Sequence, residues 1–148
     1  MKKLISERKE FFSLAAIVWL WVSFQPLFAQ QQMTVVIQKI RSDKGVIRLT
    51  LFTKEADYMK IFSFGKAVPA KKNELSITFD NLPAGQYAIT VLHDENDNGK
   101  LDSNFLGIPK EGVGFSNNAS ATFGPPSWEK AKFKLEDSKP RAIALKYF

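Results

Sequence analysis

Gln86-Tyr87-Ala88-Ile89-Thr90-Val91-Leu92-His93 is the stretch on which the fold turns. Tyr87, Ile89 and Val91 fall on one face and Ala88, Thr90 and Leu92 on the other, the alternation of a half-buried β-strand. Upstream, Asp80-Asn81-Leu82-Pro83-Ala84-Gly85 is a cluster of turn residues. Before it, Glu74 to Phe79 (ELSITF) alternates again, with Leu75, Ile77 and Phe79 inward.

The pattern repeats outward. Met33 to Ile40 (MTVVIQKI) and Gly45 to Thr53 (GVIRLTLFT) are rich in β-branched residues and flank the turn cluster Arg41 to Gly45, so they read as a hairpin. In the second of them Ile47, Leu49 and Leu51 share one face, while Val46, Arg48, Thr50 and Phe52 share the other. Tyr58 to Phe64 reads as a short edge strand stopping at Gly65. Lys132 to Glu136 and Ala142 to Tyr147 read as two more strands, joined as a hairpin across Asp137 to Arg141. No helix longer than two turns is evident. About seven short strands separated by turn signals predict an all-β, antiparallel two-sheet sandwich, with a closed barrel as the alternative.

Asp94 to Lys130 carries little regular pattern. A stretch that long inside a compact domain is usually functional or disordered. Phe105, Leu106, Ile108, Val113, Phe115, Phe123 and Trp128 are spread along it and predict one long ordered loop, pinned to the sandwich by its apolar side chains.

The first 29 residues stand apart. Lys2, Lys3, Arg8 and Lys9 precede the apolar run Phe11 to Phe24. Gln25-Pro26 breaks the run, and Ala29 offers a cut before Gln30. This is the layout of a secretory signal, and the run is shorter than the ~20 apolar residues of a spanning helix. An uncleaved N-terminal anchor is the competing reading. Removing residues 1–29 from the 148 leaves one domain, 30–148, with no membrane span. The formal charge of +6 falls to +4, because the removed segment holds four basic and two acidic residues. The expected address is the periplasm, the cell surface or the outside. The remaining basic residues are scattered, with no arginine-rich run, so a nucleic-acid partner is not expected. The chain has no Cys, which excludes a thiol nucleophile, a thiolate zinc site and a lipid anchor on cysteine.

Chemistry concentrates in Asp94-Glu95-Asn96-Asp97-Asn98-Gly99-Lys100-Leu101-Asp102. Oxygen-bearing side chains alternate at Asp94, Asn96 and Asn98. Gly99 permits a sharp turn, the Lys100 carbonyl offers the next oxygen, and Asp102 stands where a direct or water-mediated ligand belongs. This matches the first nine positions of an EF-hand calcium loop. The twelfth position is Phe105 where that loop needs a bidentate Glu, and strand rather than helix precedes it. The expectation is therefore a calcium loop grafted on a strand end and completed by Glu111 or water. A plain acidic turn, favoured by Asn98-Gly99, competes with it.

The segments LPAGQYAITVLHDENDNGKLD, NFLGIPKEGVGFSNN and FGPPSWEKAKF resemble the hallmark of the bacterial domain-of-unknown-function family 2141. The resemblance spans about Thr34 to Tyr147. It implies an exported bacterial domain with an immunoglobulin- or transthyretin-like sandwich and implies no activity, so no catalytic residue is carried over.

Beside that resemblance, Lys110, Glu111, Ser116, Asn117, Asn118 and Trp128 are candidates to line a small-molecule or carbohydrate pocket in the 107–128 loop. A self-bonded cap on the sandwich is the competing reading. His93 is the only His, and its neighbour Asp94 points to the opposite face of the strand. No nucleophile elbow, phosphate loop or cofactor fingerprint is present. A hydrolase using His93 or the carboxylates is accordingly the weakest reading. The sequence favours a non-enzymatic binding or structural module with an unknown ligand or cell-envelope partner.

Overall fold

A computed structural model describes residues 31–148; the expected signal at 1–29 lies outside the described residues. Among the described residues, eight strands make two sheets: β1 (Gln31–Ile40), β2 (Val46–Phe52), β3 (Phe64–Pro69), β4 (Asn73–Leu82), β5 (Gly85–Asp94), β6 (Gly112–Phe115), β7 (Phe133–Leu135) and β8 (Arg141–Ala144). A short helix, α1 (Trp128–Ala131), precedes β7. One sheet has the order β4-β1-β8. In the other, β3-β2-β5-β6 run side by side, and β7 takes the part of the β5 edge that β6 leaves free. All pairings are antiparallel except β1 with β8.

The alternation read from the sequence is the one the core uses. Tyr87, Ile89 and Val91 of β5 and Ile47, Leu49 and Leu51 of β2 are buried, facing Met33, Val35 and Ile37 of β1 with Ile77 and Phe79 of β4. The expected hairpins are different. β1 and β2 belong to opposite sheets, and so do β7 and β8. Alternation decides which face of a strand is buried; it does not decide which neighbour the strand takes. The edge strand also lies later than expected. Phe64 opens β3, whereas Tyr58 packs against Phe52 and Trp128 on the outer face of the larger sheet.

The long irregular stretch hides a strand. β6 reads Gly-Val-Gly-Phe, and all four residues are buried. Val113 and Phe115 lie opposite Leu92 and Thr90 on the outer face, and Gly112 and Gly114 face inward opposite His93 and Val91. Glycine is required at 112 because a Cβ there would overlap the Tyr147 ring. Val113 and Lys146 exchange backbone hydrogen bonds of 3.0 and 2.8 Å, which ties the segment after β8 to the edge of the larger sheet. The apolar side chains divide. Val113, Phe115 and Trp128 do pin the stretch, but Phe105, Leu106, Ile108 and Phe123 stand in solvent, contrary to expectation.

Candidate functional site at the loop end

Three segments meet at one end of the sandwich: the β1–β2 connection (41–45), the stretch after β5 (94–111), and the residues after β8. Gly45 makes the meeting close. It has φ +69°, and a Cβ there would overlap the Asp94 carbonyl.

The last two residues of β5 point to opposite faces. His93 faces inward and is fully buried. Its Nδ1 lies 2.8 Å from the Tyr147 hydroxyl and its Nε2 lies 2.8 Å from the Lys44 carbonyl. The carbonyl can only accept, so Nε2 carries a proton, and the Tyr147 hydroxyl can donate to Nδ1. That hydroxyl also accepts from the Arg41 N–H at 3.1 Å.

Asp94 faces outward yet is also fully buried, because the 95–102 loop folds over it. Arg48 pairs with Leu92 across the β2–β5 ladder, so its side chain is the diagonal neighbour of Asp94 on the same face. Asp94 Oδ2 accepts from Arg48 Nε at 2.6 Å and from the Gly99 amide at 2.8 Å, and Oδ1 accepts from the Asn98 amide at 3.1 Å. Burial pushes the Asp94 carboxyl up. The Arg48 bond and the two amides together outweigh it and hold the group below its ordinary value. A second Arg48 nitrogen reaches Asp97 at 2.7 Å.

The alternate residues of the loop turn toward one another. Asn96 Oδ1 accepts from the Asn98 amide at 3.1 Å, and Asn98 Oδ1 accepts from the Lys100 amide at 2.8 Å. Their side-chain amides both donate to Asp102 Oδ2, at 2.6 and 3.0 Å. Glu111, almost fully buried, closes the loop by accepting from the amides of Glu95 and Asp102, each at 3.0 Å. Glu95 is held by the Arg41 guanidinium and by the Ser42 hydroxyl at 2.9 Å. The Arg41 bond is the main reason its carboxyl is lowered to about 2. Among the described residues no three His, Cys, Asp or Glu side chains gather around one point.

Arg41, Ser42, Lys44, Glu95, Asn96, Asp102, Lys110 and Glu111 line an open cleft of ≈ 580 Å³. Of the six residues expected to line a pocket, this brings together Lys110 and Glu111 only. The other four serve the frame away from this end, at the larger sheet and, through Asn118, at β8 of the smaller one. Ser116 Oγ accepts from the Ile89 amide at 2.9 Å and donates to the Ala131 carbonyl. Asn117 donates to the carbonyls of Lys130 and Lys132, and Asn118 accepts from the Ala144 amide. Trp128 packs against Phe52, Ala88 and Tyr58.

The family model described as "Uncharacterized protein conserved in bacteria (DUF2141)" matches residues 35–143. The chain belongs to that family. No curated protein and no solved structure matches it significantly. The matched span of the DUF2141 family runs from within β1 to within β8 and so takes in the acidic loop, the Glu111 clamp and the Gly-Val-Gly-Phe strand. Sequence reasoning missed Arg48, Arg41, Lys44 and Tyr147 at this end. Arg48 alone carried a signal, as a charge on the outward row of β2. That signal becomes legible only once β2 is paired with β5.

Proposed function

We propose that the protein is an exported, non-catalytic binding or structural module whose loop end is stiffened by a calcium ion in the 94–102 loop. The observation that carries this reading is the convergence of positions 94, 96, 98 and 102. One amide, that of Asn98, lies 3.1 Å from both Asp94 Oδ1 and Asn96 Oδ1, and Asp102 Oδ2 receives both asparagine amides. All of these side chains offer hard oxygen donors, the chemistry calcium takes. The asparagine oxygens reach the ion by leaving the Asn98 and Lys100 amides from which they accept. Asp94 and Asp102 are the only carboxylates in the converging set, and Arg48 already neutralises part of the Asp94 charge. The affinity therefore belongs to the weak extracellular class, about 10⁻⁴ to 10⁻³ M. Export, read from residues 1–29, supplies an environment where such a site fills. The burial of His93 and Glu111 and the hydrogen bonds on Ser116 favour binding over catalysis.

The test is calorimetric titration of the protein with calcium, with a chelator control and melting curves. Saturation should raise Tm by about 5 °C, and Asp102→Asn should remove most of that rise. Absence of both heat and melting shift, or a shift unchanged in Asp102→Asn, overturns the reading.

The cleft favours a second reading, a small polar or carbohydrate ligand held by Lys110 and Glu111 with Arg41, Ser42 and Lys44. Amide chemical-shift changes at Ser42, Lys44 and Lys110 on adding simple saccharides would support it. Silence at all three would remove it.

A further inference from the structure

Beyond the acidic loop the chain leaves the frame as a small hairpin with an apolar tip. Phe105 is 95% exposed, Leu106 67%, Leu101 45% and Ile108 41%. A surface normally scatters such residues singly; here four fall within eight positions.

The hairpin holds itself in shape. The Lys110 amide donates to the Asp102 carbonyl, the Asn104 amide to the Ile108 carbonyl, and the Gly107 amide to the Asn104 carbonyl, each at 2.9 Å. Asn104 Oδ1 accepts the amides of Leu106 and Ile108 at 2.9 and 3.0 Å. The amides of Leu106, Gly107 and Ile108 are thus satisfied inside the hairpin. That is what a segment needs if it is to leave water without stranding polar backbone.

The charge around the tip has one sign. Lys100 and Lys110 stand exposed at the two legs, and neither belongs to an ion pair among the described residues. The one acid between them, Asp102, is turned to the amides of Asn96 and Asn98. A convex apolar tip collared by two free cations fits a soft anionic surface, with the lysine stems lying along the apolar boundary and their ammonium groups in the headgroup layer.

We propose that the 101–108 hairpin docks on a membrane rich in anionic phospholipid, with Phe105 and Leu106 entering the acyl boundary and Lys100 and Lys110 resting at the phosphates. This goes beyond the calcium reading and does not rest on it, since Phe105 and Leu106 lie outside the 94–102 loop and the two lysines act through their side chains, not through backbone carbonyls.

The chain has no cysteine, so Leu106→Cys carries an environment-sensitive fluorophore at a single place. With the full chain and a chelator present, phosphatidylglycerol vesicles should shift its emission to shorter wavelength and shield it from aqueous iodide. Phosphatidylcholine vesicles should do so only weakly. The label reads the depth of the tip, so attachment through the apolar run at 11–24 does not by itself produce the signal. A label at Ile61→Cys, a position 67% exposed at the other end of the sandwich, should stay in water. In the labelled chain Phe105→Ser should raise the lipid needed for half-response about tenfold, and Lys100→Gln and Lys110→Gln about fivefold each. The proposal is overturned by a silent label at 106, by an equal response at 61, or by shielding that grows with protein concentration without lipid. The last result would assign the tip to a second copy of the chain. Because calcium is chelated throughout, failure here leaves the calcium titration untouched, and failure there leaves this result standing.

Discussion

Arg48 and Asp94 stand on the outer face of neighbouring strands with Nε and Oδ2 2.6 Å apart, the carboxylate fully buried and the guanidinium about one-third exposed (32%). The pair joins the sheet to the acidic loop, since Arg48 also reaches Asp97. Arg48→Met should leave a buried carboxylate with two amides and no cation, at a cost of about 1–3 kcal/mol. Chemical denaturation checks this. Asp94→Asn in the same background should restore part of the loss, because the uncompensated charge is then gone.

Acid should loosen the loop end through Glu95 and Asp94. Both carboxyls are lowered in the folded protein, Glu95 from 4.5 to about 2. A depressed carboxyl stabilises fully above its unfolded value and loses that contribution as pH falls through its folded value. Tm should therefore be flat above about pH 5 and fall between pH 4.5 and about 2. Glu95→Gln should lower the plateau and flatten the fall. A melting series across that range in both proteins is the measurement.

Glu111 holds the two ends of the 95–102 loop through the amides of Glu95 and Asp102. Glu111→Ala leaves both amides without their partner, for a loss of about 1–3 kcal/mol. Hydrogen exchange should locate it: the amides of Glu95 and Asp102 speed up, while those of Ile89 and Val91 in the core of β5 change only with global stability.

Ser116 offers a contrast away from the loop end. Its hydroxyl is buried between the Ile89 amide and the Ala131 carbonyl. Ser116→Ala should cost about 1–3 kcal/mol and leave calcium titration unchanged. If Ser116→Ala were instead neutral in stability, the bridge from α1 to β5 would have to be made by other contacts.

Gly45→Ala should be more damaging than either. Its φ of +69° disfavours any side chain, and a Cβ would overlap backbone at Asp94 and Glu95. A loss of at least about 2 kcal/mol is expected from strain at such a position, measured by thermal melting with Gly85→Ala as the control, where a Cβ meets open space.

What was legible in the sequence was periodicity. The inward rows of β2, β4 and β5 were readable because each strand has one wet face and one dry face, which a period of two records. β6 was not readable, because both its faces are covered and two of its four residues are glycines kept small by Tyr147 and β8. Partner choice was not readable either. β1 and β8 lie side by side only because sheet edges a hundred residues apart meet, and nothing local encodes that. At the candidate site, the spacing of Asp94, Asn96, Asn98 and Asp102 drew attention to a loop whose side chains hydrogen-bond within it. The Arg48 that shares them came from a different strand, and its role appears only through the β2–β5 register.

The tie between β6 and the segment after β8 also bears on the order in which the molecule can be assembled. Tyr147 supports His93, backs Gly112 and stacks under Arg41 at 4.4 Å, so the acidic end lacks its floor until residue 147 has been made. β1, made well before β8, waits for it to take its open edge. Contacts that distant in sequence close slowly. A chain caught before that step would carry an unfinished edge at β1 and a loosely held Asp94–Asp102 loop, which makes the segment after β8 the gate between a half-built sandwich and a closed one.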